Sequence, residues 1–358
     1  MPFYHPLKKS SKENKRVIER LIALRNSLRD SVPRKTHSEN LLLATWNIRD
    51  FDKPGYGIRL KESYYYIAEI ISHFDVVAVQ EVYRDLTAIN EVMKILGSGW
   101  DYIFSDATEG RRGNDERMAF LYDKSKVKFS GLAGELVLPP RREKIDGKTV
   151  VTPVGQIWRT PMLCGFKAGW AKFILCTVHI QWGESIANSE DRTKEIKHVA
   201  KFLKKRTEDP TSWARKIILL GDFNIFSTED KTYASLAEEG FRYPDPLASV
   251  YRKDHGTNAA KKKRHYDQIL FRERSHGFEV VDGGLFDPFK SVFRKEDEEI
   301  YKKHMKKKKK NESDKDEYYK SYNRWKTYQL SDHNPLWVEF KIDYTDDYLN
   351  ALLIDQDS

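Results

Sequence analysis

Asp222 and Asn224 stand two positions apart just beyond an apolar run, in the stretch LLGDFNIFSTED from Leu219 to Asp230. The preceding KIILL reads as a strand covered on both faces and broken at Gly221. A carboxylate and an amide at the carboxyl end of a strand stand where open α/β sheets place ligands. Gly, Asp and Asn also form turns, so this stretch alone supports either reading. The pattern recurs along the chain, however. Asn47 closes LLLATWN, Glu81 closes DVVAVQE, His179 closes AKFILCTVH, Asp332 and His333 fall in LSDHNP, and Asp267 opens an apolar strand in HYDQILF. Each has a plain structural reading: a cap for Asn47, a surface pair for Glu81, a satisfied core imidazole for His179, a turn for Asp332. Their joint placement at strand ends points instead to one site.

Those residue types suit hydrolysis of a phosphate ester. Mg²⁺ or Mn²⁺ takes hard oxygen ligands, and a carboxylate such as Glu81 supplies one. A carboxylate beside an imidazole orients it and raises its basicity, so that it takes a proton from water. The amides of Asn47 and Asn224 can donate to a non-bridging phosphate oxygen without bringing negative charge. No zinc-ligand spacing and no HExxH occurs. Neither GxxxxGK[ST] nor GxSxG is present, which excludes a P-loop motor and a serine hydrolase with a nucleophile elbow.

The elements that must position these residues alternate. Ser10–Asp30 forms an amphipathic helix with Val17, Leu21, Leu24 and Leu28 on one stripe, ended by Pro33 and expected to pack on the main body. RLKESYYYIAEIISHF and DRTKEIKHVAKFLKKR are helical, the second with Ile196, Val199 and Leu203 on one face. ERMAFLYDKSKVKF reads as strands, and MLCGFKA with AKFILCTVHI as a hairpin. The chain divides into an N-terminal helical arm (1–38), a main domain (39–343) and an acidic tail (344–358) that carries a short apolar patch. Within the domain, 290–326 is a charged insertion containing five consecutive lysines, Lys306–Lys310. Ser313 with Asp316 is placed to cap a helix there, whose Tyr318, Tyr322 and Trp325 share a face that packs on the body.

With 358 residues, 33% of them charged, and a formal charge of +9, the chain has a globular composition and a basic balance suited to a polyanion. The first residues lack the apolar core of a signal peptide, no run is long enough to span a membrane, and the two cysteines, Cys164 and Cys176, read as reduced core thiols. These features suit a cytoplasmic protein.

ATWNIR, VVAVQEV, TVHI, LLGDFN, YDQIL and LSDHNP, in this order from Leu41 to Phe340, resemble the endonuclease/exonuclease/phosphatase superfamily, and within it the deoxyribonuclease I-like nucleases. The resemblance implies a four-layer α/β/β/α sandwich and Mg²⁺- or Mn²⁺-dependent attack by water on a phosphodiester. It also implies roles. Asn47 and Glu81 line the metal site, with Asp332. Glu116, in DERMAFLYDKSKV, partners His179, and Asp267 pairs with His333. Asp222 and Asn224 complete the pocket. Arg159 in RTPML, together with Arg117 and Asn47, contacts the substrate phosphate. Thr257, in HGTN, falls near a threonine that precedes the family's YD motif.

The expected function is therefore a metal-dependent nuclease, acting on nucleic acid and on DNA first. The competing readings are a phosphatase or phosphodiesterase of the same fold acting on another phosphoester, since fold alone does not fix substrate, and a non-catalytic binding protein. The last would be expected to have lost site residues, and this chain keeps them. The HYDQIL strand lacks the Cys–Asp–Arg pattern of inositol phosphatases.

Overall fold

Side chains on successive residues of a strand point to opposite faces, and that alternation organises the whole domain. The computed structural model describes residues 2–7, 11–53, 57–109, 113–250, 264–273, 279–305 and 315–356. One sheet contains β1 (Asn40–Phe51), β2 (Val76–Tyr83), β3 (Trp100–Phe104), β4 (Glu116–Asp123), β12 (Val280–Leu285) and β13 (Leu336–Lys341), in the order β12-β13-β1-β2-β4-β3. The second contains β5 (Lys128–Glu135), β8 (Met162–Ala168), β9 (Ala171–His179), β10 (Lys216–Asp222) and β11 (Asp267–Glu273), in the order β11-β10-β9-β8-β5. A separate ribbon pairs β6 (Arg141–Ile145) with β7 (Lys148–Thr152). The centre of each sheet holds a parallel pair, β1 with β2 and β9 with β10.

Three apolar clusters separate four layers. Leu41 and Leu43 of β1 face across to Phe166, Phe173, Leu175, Ile218 and Leu220 of the second sheet. Leu42, Ala44 and Trp46, one residue out of phase, pack under the helices Lys12–Ser31, Lys61–Ser72 and Thr87–Leu96. On the far side Ile174, Cys176, Val178, Ile217 and Leu219 pack against Ile196, Val199 and Leu203 of the helix Glu190–Glu208. The result is the α/β/β/α sandwich expected.

The N-terminal helix begins where Ser11 accepts a hydrogen bond from Asn14 N at 3.0 Å, and Val17, Leu21, Leu24 and Leu28 are buried. Arg16, Arg20 and Arg25 pair with the buried carboxylates of Glu62, Asp297 and Glu69 at 2.8, 2.6 and 2.9 Å. The helix is thus a layer of the body. The described part of the charged insertion is also built in, with Tyr301 and Tyr322 in the same cluster and Trp325 packed on it. Lys306–Lys310, Ser313 and Thr257 lie outside the described residues, as do the side chains of Asp316 and Tyr318. The tail forms the helix Thr345–Gln356, with Leu349, Leu352, Leu353 and Ile354 exposed. Cys164 and Cys176 are both buried and free. They lie on adjacent strands but project to opposite faces of the sheet, one into each neighbouring cluster, which excludes a bond between them. No helix among the described residues is long and apolar enough to cross a membrane.

Candidate active site

The parallel pairs end side by side, and their last residues form a cleft at one end of the sandwich. Asp222 closes β10 opposite His179 of β9 and Asp267 of β11. Gly221 makes this approach possible. It holds φ +135°, and a Cβ there would lie 2.1 Å from the carbonyl oxygen of Val178. Asn224 then takes a left-handed φ of +53°, which Asn tolerates better than most residues. In this position its N–H donates to Asp222 Oδ1 at 2.9 Å and its side-chain Nδ2 to Ile180 O at 2.7 Å. Glu81 also has a positive φ, +61°, at an irregularity in the pairing of β2 with β4. Backbone strain of this kind costs of order 1–3 kcal/mol and collects at functional sites.

From the first sheet, Asn47 Nδ2 donates to Glu81 Oε1 and to Asp222 Oδ2, both at 2.9 Å. Its Oδ1 is buried and has no hydrogen-bond partner among the described residues. Glu81 Oε2 accepts from Asp50 N at 2.7 Å. Burial and the nearby charge of Glu116 push the Glu81 carboxyl up to about 7.

The two histidines are arranged alike. His179 Nδ1 lies 2.9 Å from Glu116 Oε2, and its Nε2 lies 3.7 Å from Asp222 Oδ2 and 4.0 Å from Glu81 Oε1. His333 Nδ1 lies 2.7 Å from Asp267 Oδ2, and its Nε2 lies 3.8 Å from the same Asp222 oxygen. Burial alone would lower both imidazoles. Glu116 and Asp222 carry His179 upward, against Arg159 as well, and Asp267 and Asp222 carry His333 well above its ordinary value. Burial likewise opposes ionisation of Asp222, but the two imidazoles hold its pKa below the ordinary value. Glu116 is held down at about 2, against burial, by His179 and by Arg159, whose Nε lies 2.8 Å away.

Asp332 stands at the rim with its Oδ2 3.9 Å from Arg49 Nε. Arg117 is not brought into the cluster, contrary to the expectation of a substrate contact. One residue beyond Glu116, it faces the other side of β4, and its guanidinium donates to Ser105 O at 2.9 Å and to Asp106 Oδ1 at 3.0 Å. Several supporting residues were not foreseen. Asn114 donates to Glu116. Gln80 ties Thr45 to Thr177 across the sheets, at 3.1 and 2.9 Å. Ser331 Oγ donates to Asn47 O and accepts from His333 N, which fixes β1 against the SDH turn. Their position directly beside motif residues was the only sequence signal they carried.

Ligand atoms of Glu81, Glu116 and His179 lie within 4.8 Å of one another, close enough to hold a metal ion. Glu116 is already committed to Arg159 and His179. Asn47, whose Nδ2 donates to Glu81 and whose Oδ1 has no hydrogen-bond partner among the described residues, offers a second hard oxygen besides the Glu81 carboxylate, and oxygens of this kind suit Mg²⁺ or Mn²⁺.

No protein-family model matches the chain, and no curated protein matches it. Solved structures do. An endonuclease/exonuclease/phosphatase family protein from Bacteroides thetaiotaomicron superposes with TM-score 0.52 at 19% identity, over 85% of this chain and 98% of that one. The chain has the endonuclease/exonuclease/phosphatase fold. A mannosyl-6-phosphatase from Bacteroides thetaiotaomicron VPI-5482 shares it with TM-score 0.51 at 19% identity, over 84% and 99% of the two chains. So does D. rerio TDP2, solved with a single-strand DNA product, with TM-score 0.50 at 17% identity, over 84% and 98%. At these identities the likeness concerns the fold, and the chemistry rests on the side chains of the cleft.

Proposed function

We propose that this chain is a divalent-metal-dependent nuclease that hydrolyses phosphodiester bonds of nucleic acid, DNA first among them. The observation that carries the reading is the symmetry about Asp222. Two imidazoles, each held at Nδ1 by its own carboxylate, present Nε2 to one Asp222 oxygen from 3.7 and 3.8 Å. Both separations exceed a hydrogen bond, so each Nε2 can engage a substrate oxygen.

The charge states give the roles. The raised pKa values favour the protonated form of His179 and His333, in which each can donate to a phosphate oxygen as negative charge develops there. Asp222 stays ionised and accepts a hydrogen bond from the attacking water, taking the place of the neutral imidazole base expected from the sequence. Glu116 and Asp267 orient the two rings, and Asn224 fixes the Asp222 carboxylate. Arg159 stands beside Glu116, where its charge also reaches the phosphate. Both amide protons of Asn47 are taken by carboxylates, so its open Oδ1 favours the role of metal ligand over that of phosphate donor. Glu81, Asn47 and Asp332 would hold Mg²⁺ or Mn²⁺. When bound, such an ion supplies positive charge to a phosphoryl oxygen.

A phosphomonoesterase of the same fold is the competing reading, since a mannosyl-6-phosphatase shares the architecture. The formal charge of +9 favours a polyanion over a sugar phosphate. The deciding experiment gives the purified protein Mg²⁺ and offers circular and linear DNA, RNA, mannose 6-phosphate and a phosphoinositide panel. Cleavage of nucleic acid is expected. Release of phosphate from the sugar or lipid, with nucleic acid left intact, overturns the nuclease reading.

A further inference from the structure

The β6–β7 ribbon belongs to neither main sheet, and all ten of its paired residues are exposed. Its turn is Asp146-Gly147, with φ +50° and +77°, the left-handed pair that a two-residue hairpin turn requires. An isolated two-stranded ribbon is marginally stable in water, so its base and a partner matter. The base is pinned. Gln156 Oε1 accepts from Leu138 N at 2.9 Å while Gln156 Nε2 donates to Leu138 O at 3.1 Å, and Leu138 and Ile157 are buried in the core. Two residues beyond Ile157 the same chain delivers Arg159 to Glu116 in the cleft. The ribbon is therefore an arm of about 17 Å, five residues at ~3.4 Å each, rooted beside the catalytic cluster.

Its two faces differ. Residues directly opposite in the pairing share a face. Arg142 opposes Val151 and Lys144 opposes Thr149, so this face carries two cations and no acid. The other face carries Arg141, Glu143 and Ile145 against Thr152, Val150 and Lys148, and there Glu143 lies 3.6 Å from Arg141. Neither Arg142 nor Lys144 is ion-paired among the described residues.

We propose that this ribbon is a duplex-binding arm, and that Arg142 and Lys144 contact the phosphate backbone of nucleic acid leading away from the cleft. The inference rests on the nuclease reading above. A polyanion is the partner that matches a cationic face with no acid on it, and a two-stranded ribbon is narrow enough to enter a major groove. Thr149 adds a hydroxyl that can donate to phosphate.

The test is the Arg142→Gln/Lys144→Gln double variant, both sites being exposed and away from the core. Binding of long duplex DNA is measured against salt without divalent metal, so that nothing is cleaved. Each phosphate contact contributes roughly −0.9 to the slope of log affinity on log salt, so losing two flattens it by about 1.8. On raising salt fourfold, wild-type affinity should then fall about twelvefold further than the variant's. Hydrolysis of the p-nitrophenyl ester of thymidine 5′-monophosphate with Mg²⁺ should be unchanged, because so short a substrate does not reach the arm. Arg141→Gln, on the opposite face, should leave the slope near wild type. An unchanged slope in the double variant overturns the proposal, as does equal flattening by Arg141→Gln. Loss of binding to phosphatidylserine vesicles with the DNA slope intact would assign the arm to a membrane surface instead. A wild type that neither binds nor cleaves nucleic acid overturns the nuclease reading and the arm together, whereas a wild type that cleaves DNA beside a variant indistinguishable from it overturns the arm alone.

Discussion

Glu81 is the carboxylate with most to gain from a cation. It is half-buried, lies near Glu116 and has its pKa pushed up to about 7. Glu81→Gln keeps the shape and removes the anion, so its activity should require much higher Mg²⁺ than wild type. A titration with Mg²⁺ that overlays the wild-type curve would show that Glu81 is no ligand. His179→Ala or His333→Ala should each reduce turnover roughly 10²–10³-fold, the usual cost of removing one donor to an oxygen on which negative charge develops, with the circular dichroism spectrum retained. Turnover at the wild-type rate in both variants would make the histidines structural. Glu116 allows a prediction about stability. Its folded pKa, about 2, lies below the ordinary 4.5, so its stabilising contribution is present above the unfolded value and lost as pH falls through that range. Melting temperature should therefore drop less steeply with acidification in Glu116→Gln than in wild type; parallel curves would show that the pairing with His179 and Arg159 adds nothing to stability.

At the scale of elements, the N-terminal helix behaves as part of the first layer. Leu24 is fully buried in the cluster beneath it. Leu24→Ala should cost ~2–5 kcal/mol, read as a shift in the urea midpoint. A change below about 0.5 kcal/mol, the range of a surface substitution, would mean the helix does not pack as described. The loop after β9 depends on Arg192, whose buried guanidinium donates to the carbonyls of Ile186, Ala187 and Glu184 at 3.0, 3.3 and 3.0 Å. That one side chain satisfies a turn lying next to His179. Nothing in the stretch DRTKEIKHVAKFLKKR marks this role, because the carbonyls it serves are fixed by the path of the loop.

For the whole molecule, the architecture was legible because apolar runs, their polar terminal residues and the intervening amphipathic stretches all agree. The strand-end residues Asn47, Glu81, His179, Asp222 and Asp332–His333 could be picked out one segment at a time, since each closes or follows an apolar run. Arg117 shows the limit. Adjacent to Glu116 in sequence, it is turned to the other side by the strand's two-residue period, and only the pairing of β4 says which of the two faces the cleft. The β6–β7 ribbon had one sequence signal, the Asp146-Gly147 turn, but no alternation of apolar residues to mark a buried face.

By itself the sequence determined the α/β class, the helices that cover the sheets, and the set of carboxylates, amides and imidazoles available for phosphoester chemistry. These follow from local periodicity and residue type, which need no knowledge of distant contacts. The tertiary structure decided how that set is shared out. It placed both imidazoles on one Asp222 oxygen, committed both Asn47 amide protons to carboxylates, raised the histidines while holding Asp222 and Glu116 ionised, and sent Cys164 and Cys176 to opposite sides of one sheet. Hydrogen-bond partners and pKa values depend on burial and on charges brought together from β1, β2, β4, β9, β10 and β11, and such proximity exists only once the two sheets have packed.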